Sequence, residues 1–254
     1  MRTLPSNKIE IFPLQDVPRI DSPVDLSEII VKGFEKTWLD LKDGDIIVIA
    51  HTIVSKAEGR SIGRNEIEVS DRARQIAEKN GFDAVQVEIA LSQSERVLRD
   101  ERTLITVTKS GRICNFSGID HSNAPEGAFV MLPEDSDESA ARILDSLEDA
   151  TGKTLAVIIS DTEGRPWRKG AVNIALGCAG INAFKHNKGK RDLYGRELQS
   201  SMVCQVDQLA SAAEFLMGQA DEGTPIVVIR GYEFETGSEK GKDIQRPLSE
   251  CLFL

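Results

Sequence analysis

Three short runs, Asp45 to Ala50 (DIIVIA), Leu155 to Ser160 (LAVIIS) and Pro225 to Arg230 (PIVVIR), constrain this chain more than any other feature. Each is a short apolar stretch rich in β-branched side chains, with turn residues such as Gly44 and Gly223 close before it. A run this short is a strand rather than a helix, and its lack of alternation means that both faces are buried. Such strands need covering layers, and amphipathic segments surround them. Residues 26–38 place Ile29, Ile30, Gly33, Phe34 and Thr37 on one helical face. Ser70 is a good N-cap for a helix through Asn80, stopped by Gly81. A second helix is predicted from Asp83 to Leu98. Residues 136–151 and 207–217 read as helices ending at Gly152 and Gly218. LITVT and RICNF flank Lys109, Ser110 and Gly111 as a β-hairpin.

Helices and strands do not alternate strictly, which disfavours a doubly wound parallel sheet. The expected class is α+β: one domain over residues 1–254, built as two intimately packed lobes without a P-loop or a Rossmann unit. Gly152-Lys153-Thr154 resembles the end of a P-loop, but Leu147 stands where the first glycine belongs and the helix precedes the strand. That triplet reads as a helix C-cap. Thirty-one Lys and Arg against 41 Asp and Glu leave a net charge of −10, which argues against nucleic acid or an anionic membrane as partner. No apolar stretch approaches the roughly 20 residues that cross a bilayer, and the N-terminus has no signal-type segment, so the expected location is the cytoplasm. Cys114, Cys178, Cys204 and Cys251 are too dispersed for a disulfide framework or a thiolate metal site, and are expected reduced.

Four junctions carry polar groups that their local structure does not need. After DIIVIA come His51, Thr52, Ser55 and Lys56, where a lysine beside hydroxyls at a strand exit can hold a phosphate or simply sit in a solvated turn. After the hairpin, Asp120 and Asn123 either cap a turn or offer hard oxygens to a magnesium-type cation. After LAVIIS, Asp161 and Thr162 stand at the sheet rim, where a carboxylate and a hydroxyl can hold a metal beside phosphates. Arg165, Arg168 and Lys169 follow at once. The fourth junction combines a basic island, including Lys188 and Arg191, with the glycine-flanked loop Met217, Gly218, Gln219, Ala220, Asp221, Glu222, Gly223 and Thr224. Together these residues point to phosphoryl or acyl-phosphate chemistry on an anionic substrate.

The motifs His51–Gly59 (HTIVSKAEG), Gly118-Ile119-Asp120 with Ser122-Asn123, Ile159–Arg165 (ISDTEGR), Arg191–Leu198 (RDLYGREL) and Leu216-Met217-Gly218 closely resemble the coenzyme F-420-0:L-glutamate ligase family, in its order and spacing from about Phe12 to Gly231. The resemblance implies a homodimeric, GTP- (or ATP-) dependent γ-glutamyl ligase with a two-lobed α+β fold. It implies two divalent cations (Mg or Mn) and a response to potassium. Asp120 and Asp161 match ligands of the first metal, and Thr162 and Gln219 ligands of the second. Nucleotide contacts map to Leu14, Gln15, Asp16, Val17, His51, Thr52, Lys56, Asn123 and the loop from Met217 to Thr224. Lys56, Asp161 and Arg165 are the catalytic candidates, and Arg168, Lys169, Lys188 and Arg191 the candidates for gripping glutamate and acceptor. His51 replaces a commoner small residue, Gln219 replaces a frequent glutamate, and residues 173–187 depart from the usual apolar stretch. Folate or another acid as acceptor, a non-catalytic nucleotide-binding module and a plain phosphohydrolase are the competing readings.

Overall fold

The computed structural model describes residues 8–37 and 39–251. Along the chain run β1 (Glu10–Pro13), α1 (Leu26–Lys36), β2 (Ile46–Ala50), α2 (His51–Ala57), β3 (Ser61–Gly63), α3 (Asp71–Asn80), α4 (Ala84–Ser92), β4 (Ser94–Glu101), β5 (Thr103–Thr108), β6 (Ile113–Asn115), β7 (Ala128–Val130), α5 (Ser136–Thr151), β8 (Ala156–Arg165), β9 (Arg168–Ala179), β10 (Phe184–His186), β11 (Met202–Cys204), α6 (Gln205–Met217) and β12 (Ile226–Arg230). The class is α+β, and α1 ends at Lys36, with Trp38 outside the described residues. The chain forms two compact units. One comprises residues 1–17, 27–50 and 137–254; the other comprises residues 18–26 and 51–136. No helix among the described residues is long and apolar enough to cross a membrane.

The larger unit is organised by a sheet of order β1-β12-β2-β8-β9, in which only β2 and β8 are parallel. The three apolar runs are its central strands. Ile46 and Val48 pack with Ile158, Val227 and Ile229 against Val206, Leu209, Ala210 and Ala213 of α6. Ile47 and Ile49 alternate to the other face and are also fully buried. Burial on both faces is why residues 46–50, 156–159 and 226–229 are all apolar. The smaller unit packs α3 and α4 onto the meander β4-β5-β6, with a core of Ile76, Val87, Ile89, Leu104 and Phe129.

Two expectations need correcting. The helix predicted from Asp83 to Leu98 stops at Ser92, and the residues that follow form β4. Val97 pairs with Thr106 and Asp100 with Leu104, so pairing with a neighbouring strand outweighs local helical preference. LAVIIS does not end at Ser160 either. β8 continues to Arg165 and pairs with β9 in a long hairpin, with a register shift between Ile159/Gly177 and Ser160/Ala175. The shift leaves Leu176 as an extra residue on β9, a bulge that re-aims the side chains beyond it. Helix caps follow the sequence closely. Ser70 Oγ accepts from Ala73 N–H, and Gly81 takes the left-handed conformation (φ 71°). Gly152 ends α5 the same way, so Gly152-Lys153-Thr154 is a helix cap.

Candidate active site

The sheet topology gathers several of the sequence-predicted residues at one end of the larger unit. β2 leaves the sheet there at Ala50, which pairs with Ser160 of β8. β12 enters at Ile226, opposite Ile49, directly after the loop of residues 218–224. β1 leaves there too, and Leu14 N–H donates to Ile226 O at 2.9 Å. Leu14 is buried, whereas Gln15 and Asp16 are exposed, Asp16 with φ 57°. Asp161 and Thr162 sit where β8 emerges from the core, since residues 156–160 are buried and residues 161–163 are half-buried.

A directional chain of hydrogen bonds runs across this rim. The Asn173 amide, itself buried, donates from Nδ2 to Ser160 Oγ (3.3 Å) and to Met217 Sδ (3.6 Å). Its Oδ1 accepts from Thr162 Oγ1 at 3.2 Å. Thr162 Oγ1 in turn accepts from Gln219 Nε2 at 2.7 Å, and the same nitrogen donates to Glu214 Oε1 at 2.5 Å. Asp161 Oδ1 accepts from Thr162 N–H at 2.7 Å. Among the described residues, Glu214 Oε2 is the one buried side-chain nitrogen or oxygen left without a hydrogen bond. Burial accordingly pushes the Glu214 carboxyl above its ordinary range.

The loop that carries Gln219 holds an anion of its own. Glu222 Oε2 accepts from Ala220 N–H at 2.8 Å, and backbone donors hold its carboxyl below the usual value. Gly218 (φ 66°) permits this, because a Cβ there would lie 2.1 Å from the Glu222 carboxyl carbon. Thr224 Oγ1 donates back to Met217 O at 3.3 Å and so ties the loop ends together. Asp221 and Gly223 are exposed within it.

In the smaller unit, His51 and Thr52 do not lie in a turn; they open the seven-residue helix α2. His51 is buried, with Nδ1 3.5 Å from Ser55 Oγ. Lys56 is buried as well, and its Nζ donates to Asn123 O at 2.9 Å. Burial is the main cause holding its pKa below the usual lysine value, opposed by the nearby charges of Asp21 and Asp120. Asp120 accepts from Ser122 N–H (2.7 Å) and Ser122 Oγ (2.9 Å), and Asn123 adopts φ 48°. So Lys56 and Asn123 meet, and Asp120 lies within electrostatic reach of the ammonium.

The basic candidates are carried by the far end of the β8–β9 hairpin and by the segment between β10 and β11. Arg165 ends β8, four residues and roughly 13 Å of extended strand beyond Asp161. Its guanidinium donates to the carbonyls of Lys169 and Gly170. Arg168 and Lys169 are exposed at the start of β9. Lys188 and Arg191 are exposed in the excursion between β10 and β11, where the backbones of Arg191 and Glu197 form an isolated antiparallel β-bridge. Cys114 and Cys178 are buried free thiols, and Cys204 and Cys251 are half-buried ones.

Ser160, Asn173 and Glu214 were not singled out in the sequence, although two signals were present. Asn173 interrupts the otherwise apolar AVNIALG, and Glu214 places a negative charge in the last turn of α6, where the helix dipole disfavours it. The oxygens at the rim fit a hard divalent cation, because Thr162 Oγ1 and the Gln219 carbonyl oxygen are hard ligands beside the orphaned carboxylate oxygen of Glu214. No group of three or more His, Cys, Asp or Glu side chains poised for a metal occurs among the described residues.

The family model of F420-0:gamma-glutamyl ligase matches residues 15–231. The coenzyme F420:L-glutamate ligase of Methanothermobacter thermautotrophicus is 47% identical over 225 residues, 88% of this chain and 89% of that protein. Its counterpart in Methanopyrus kandleri is 43% identical over the whole of both chains, and that of Methanocaldococcus jannaschii 43% identical over 97% of each. With the family model running through β2, β8, β9, α6 and β12, which build most of the rim, this chain belongs to the F420-0:gamma-glutamyl ligase family.

Proposed function

We propose that this ligase joins the amine of L-glutamate to the acceptor carboxylate of F420-0, using GTP or ATP and two divalent cations, Mg or Mn, with potassium as an activator. The carrying observation is that Thr162 and Gln219, assigned to one cation although 57 residues apart, are hydrogen-bonded at 2.7 Å. The nucleotide segments Leu14 to Val17 and Met217 to Thr224 lie at the same end of the same sheet. Asp120 and Asp161 are assigned to the other cation.

A carboxylate is a poor acyl donor because oxide is a poor leaving group. In the proposed sequence an acceptor carboxylate oxygen attacks the γ-phosphorus and the nucleoside diphosphate leaves, giving an acyl phosphate. The neutral amine of glutamate then attacks the acyl carbon, inorganic phosphate departs, and the amine proton is lost to solvent. When bound, the cations neutralise charge on the β- and γ-phosphate oxygens. Lys56 adds a fixed positive charge, held in place through Asn123 O. The backbone N–H groups of the Gln219 loop, which now hold the Glu222 carboxylate, are suited to phosphate oxygens. Arg165, Arg168, Lys169, Lys188 and Arg191 attract the anionic substrates toward the enzyme. The protein contributes positioning and electrostatics, with no covalent enzyme intermediate. A cytoplasmic homodimer is the form in which we expect it to act.

The test incubates the purified chain with F420-0, L-glutamate, GTP and Mn, and follows products by mass spectrometry. Gain of one glutamyl residue together with release of one phosphate supports the reading. Phosphate release that does not depend on glutamate overturns it in favour of a hydrolase. Glutamyl transfer to a folate in preference to F420-0 overturns the acceptor.

A further inference from the structure

We propose that Glu214 is a positioning residue for the cation assigned to Thr162 and Gln219, and that it supplies the negative charge which those two neutral ligands lack. The inference rests on the two-cation reading above. It starts from donor and acceptor counting. The Gln219 amide has two N–H donors and one carbonyl oxygen, and an ionised carboxylate can only accept. Glu214 Oε1 therefore faces the NH₂ end of Gln219 and never the carbonyl end. Thr162 Oγ1 takes the second N–H, because its own hydrogen is committed to Asn173 Oδ1. Asn173 is oriented in its turn by donating to Ser160 Oγ and Met217 Sδ. Each member of the chain thus has one orientation. What is left over at its end is the Gln219 carbonyl oxygen, a lone pair on Thr162 and Glu214 Oε2, and all of these are acceptors.

A cation would relieve two costs. Glu214 Oε2 is buried with no partner, and an orphaned acceptor of this kind calls for an unseen ligand or water. The same charge lies in the last turn of α6, at the negative end of the helix dipole. A divalent cation on Thr162 and Gln219 removes both penalties at once. Where a glutamate at position 219 would bring its own charge, Gln219 leaves that task to a carboxylate five residues earlier.

The test counts Mn²⁺ bound to the full-length protein by electron paramagnetic resonance, in the presence of a non-hydrolysable GTP or ATP analogue. Gln219→Ala reports on the cation site itself, and Glu214→Gln, which keeps the shape and removes the charge, reports on the proposal. We expect Glu214→Gln to weaken the second Mn²⁺ at least tenfold while leaving the first unchanged, the scale seen for groups that orient metal ligands. The metal-free variant should also melt higher than the parent, because it loses a charge at the negative end of the helix dipole. Glu214→Asp, which keeps the charge, should lose less affinity than Glu214→Gln. Loss of the second Mn²⁺ in Gln219→Ala with full affinity in Glu214→Gln overturns the role of Glu214 alone. Equal loss in Glu214→Asp and Glu214→Gln overturns its charge role. Two Mn²⁺ ions bound undiminished by Gln219→Ala overturn the underlying cation assignment, and this inference with it.

Discussion

The two ends of the five-stranded sheet treat buried carboxylates in opposite ways. At the end where β2 begins and β12 finishes, Asp45 accepts from Arg230 Nε (2.8 Å), Arg230 Nη2 (2.6 Å) and Lys42 N–H (2.8 Å). Nearby, Asp137 accepts from the backbone N–H groups of Cys178, Gly241 and Lys242. Every oxygen there has a partner. At the opposite end Glu214 keeps one oxygen without a partner, Gln219 spends its amide N–H groups on the acceptors Thr162 Oγ1 and Glu214 Oε1, and Glu222 Oε2 accepts from a backbone N–H of the loop we propose for the nucleotide. A saturated buried carboxylate stabilises the fold, whereas an unsaturated one costs stability and is kept for something that binds. The contrast separates the end of the sheet with saturated carboxylates from the end to which we assign the chemistry.

Substitutions at the two ends should therefore have opposite signatures. The largest effect is expected for Asp161→Asn, which should cut ligation by on the order of 10³-fold, about 4 kcal/mol of transition-state stabilisation, with the melting temperature nearly unchanged. Steady-state turnover and a thermal melt on the same preparation check it, and retained turnover removes Asp161 from the mechanism. Arg230→Ala should do the reverse. Leaving Asp45 buried without its guanidinium should cost about 3 kcal/mol in a denaturant titration, with turnover per folded molecule unchanged.

A smaller, pH-dependent effect follows from Lys56. Burial lowers its pKa from the ordinary value of 10.5, so the folded protein releases this proton more readily than the unfolded chain. For a base depressed in this way, stability rises with pH between the folded pKa and 10.5. Nucleotide affinity should move the other way, falling as the ammonium is lost in that interval. Lys56→Arg should push the loss to higher pH, and an affinity profile identical in the two proteins would detach Lys56 from the nucleotide. The smallest effect is at Cys178, whose thiol burial pushes up to about 12. At pH 8 only on the order of one part in 10⁴ is thiolate, so iodoacetamide should leave it unmodified in the folded protein. Rapid labelling would mean that the structural end opens far more easily than its saturated hydrogen bonds imply.

Legibility differed between elements for physical reasons. Ser70, Gly81 and Gly152 were readable as helix boundaries because a cap acts within a few residues of itself. Ser94 to Leu98 reads as helix from the sequence yet forms strand, because its strand character comes from β5, which local preference does not contain. Asp161 and Thr162 were found as a pair, but as a strand exit. Only the pairing with Ile174 and Asn173 makes them a rim within a continuing hairpin.

By itself the sequence determined the central strands, since five or so consecutive apolar residues have nowhere to go but between two layers, and it determined the family through short motifs kept in register. Which polar groups face one another was decided only by tertiary structure. Glu214, Gln219, Thr162 and Asn173 span residues 162–219 and come from one helix, one loop and two strands. Hydrogen-bond direction depends on distances of about 3 Å, and separation along the chain carries no information at that scale.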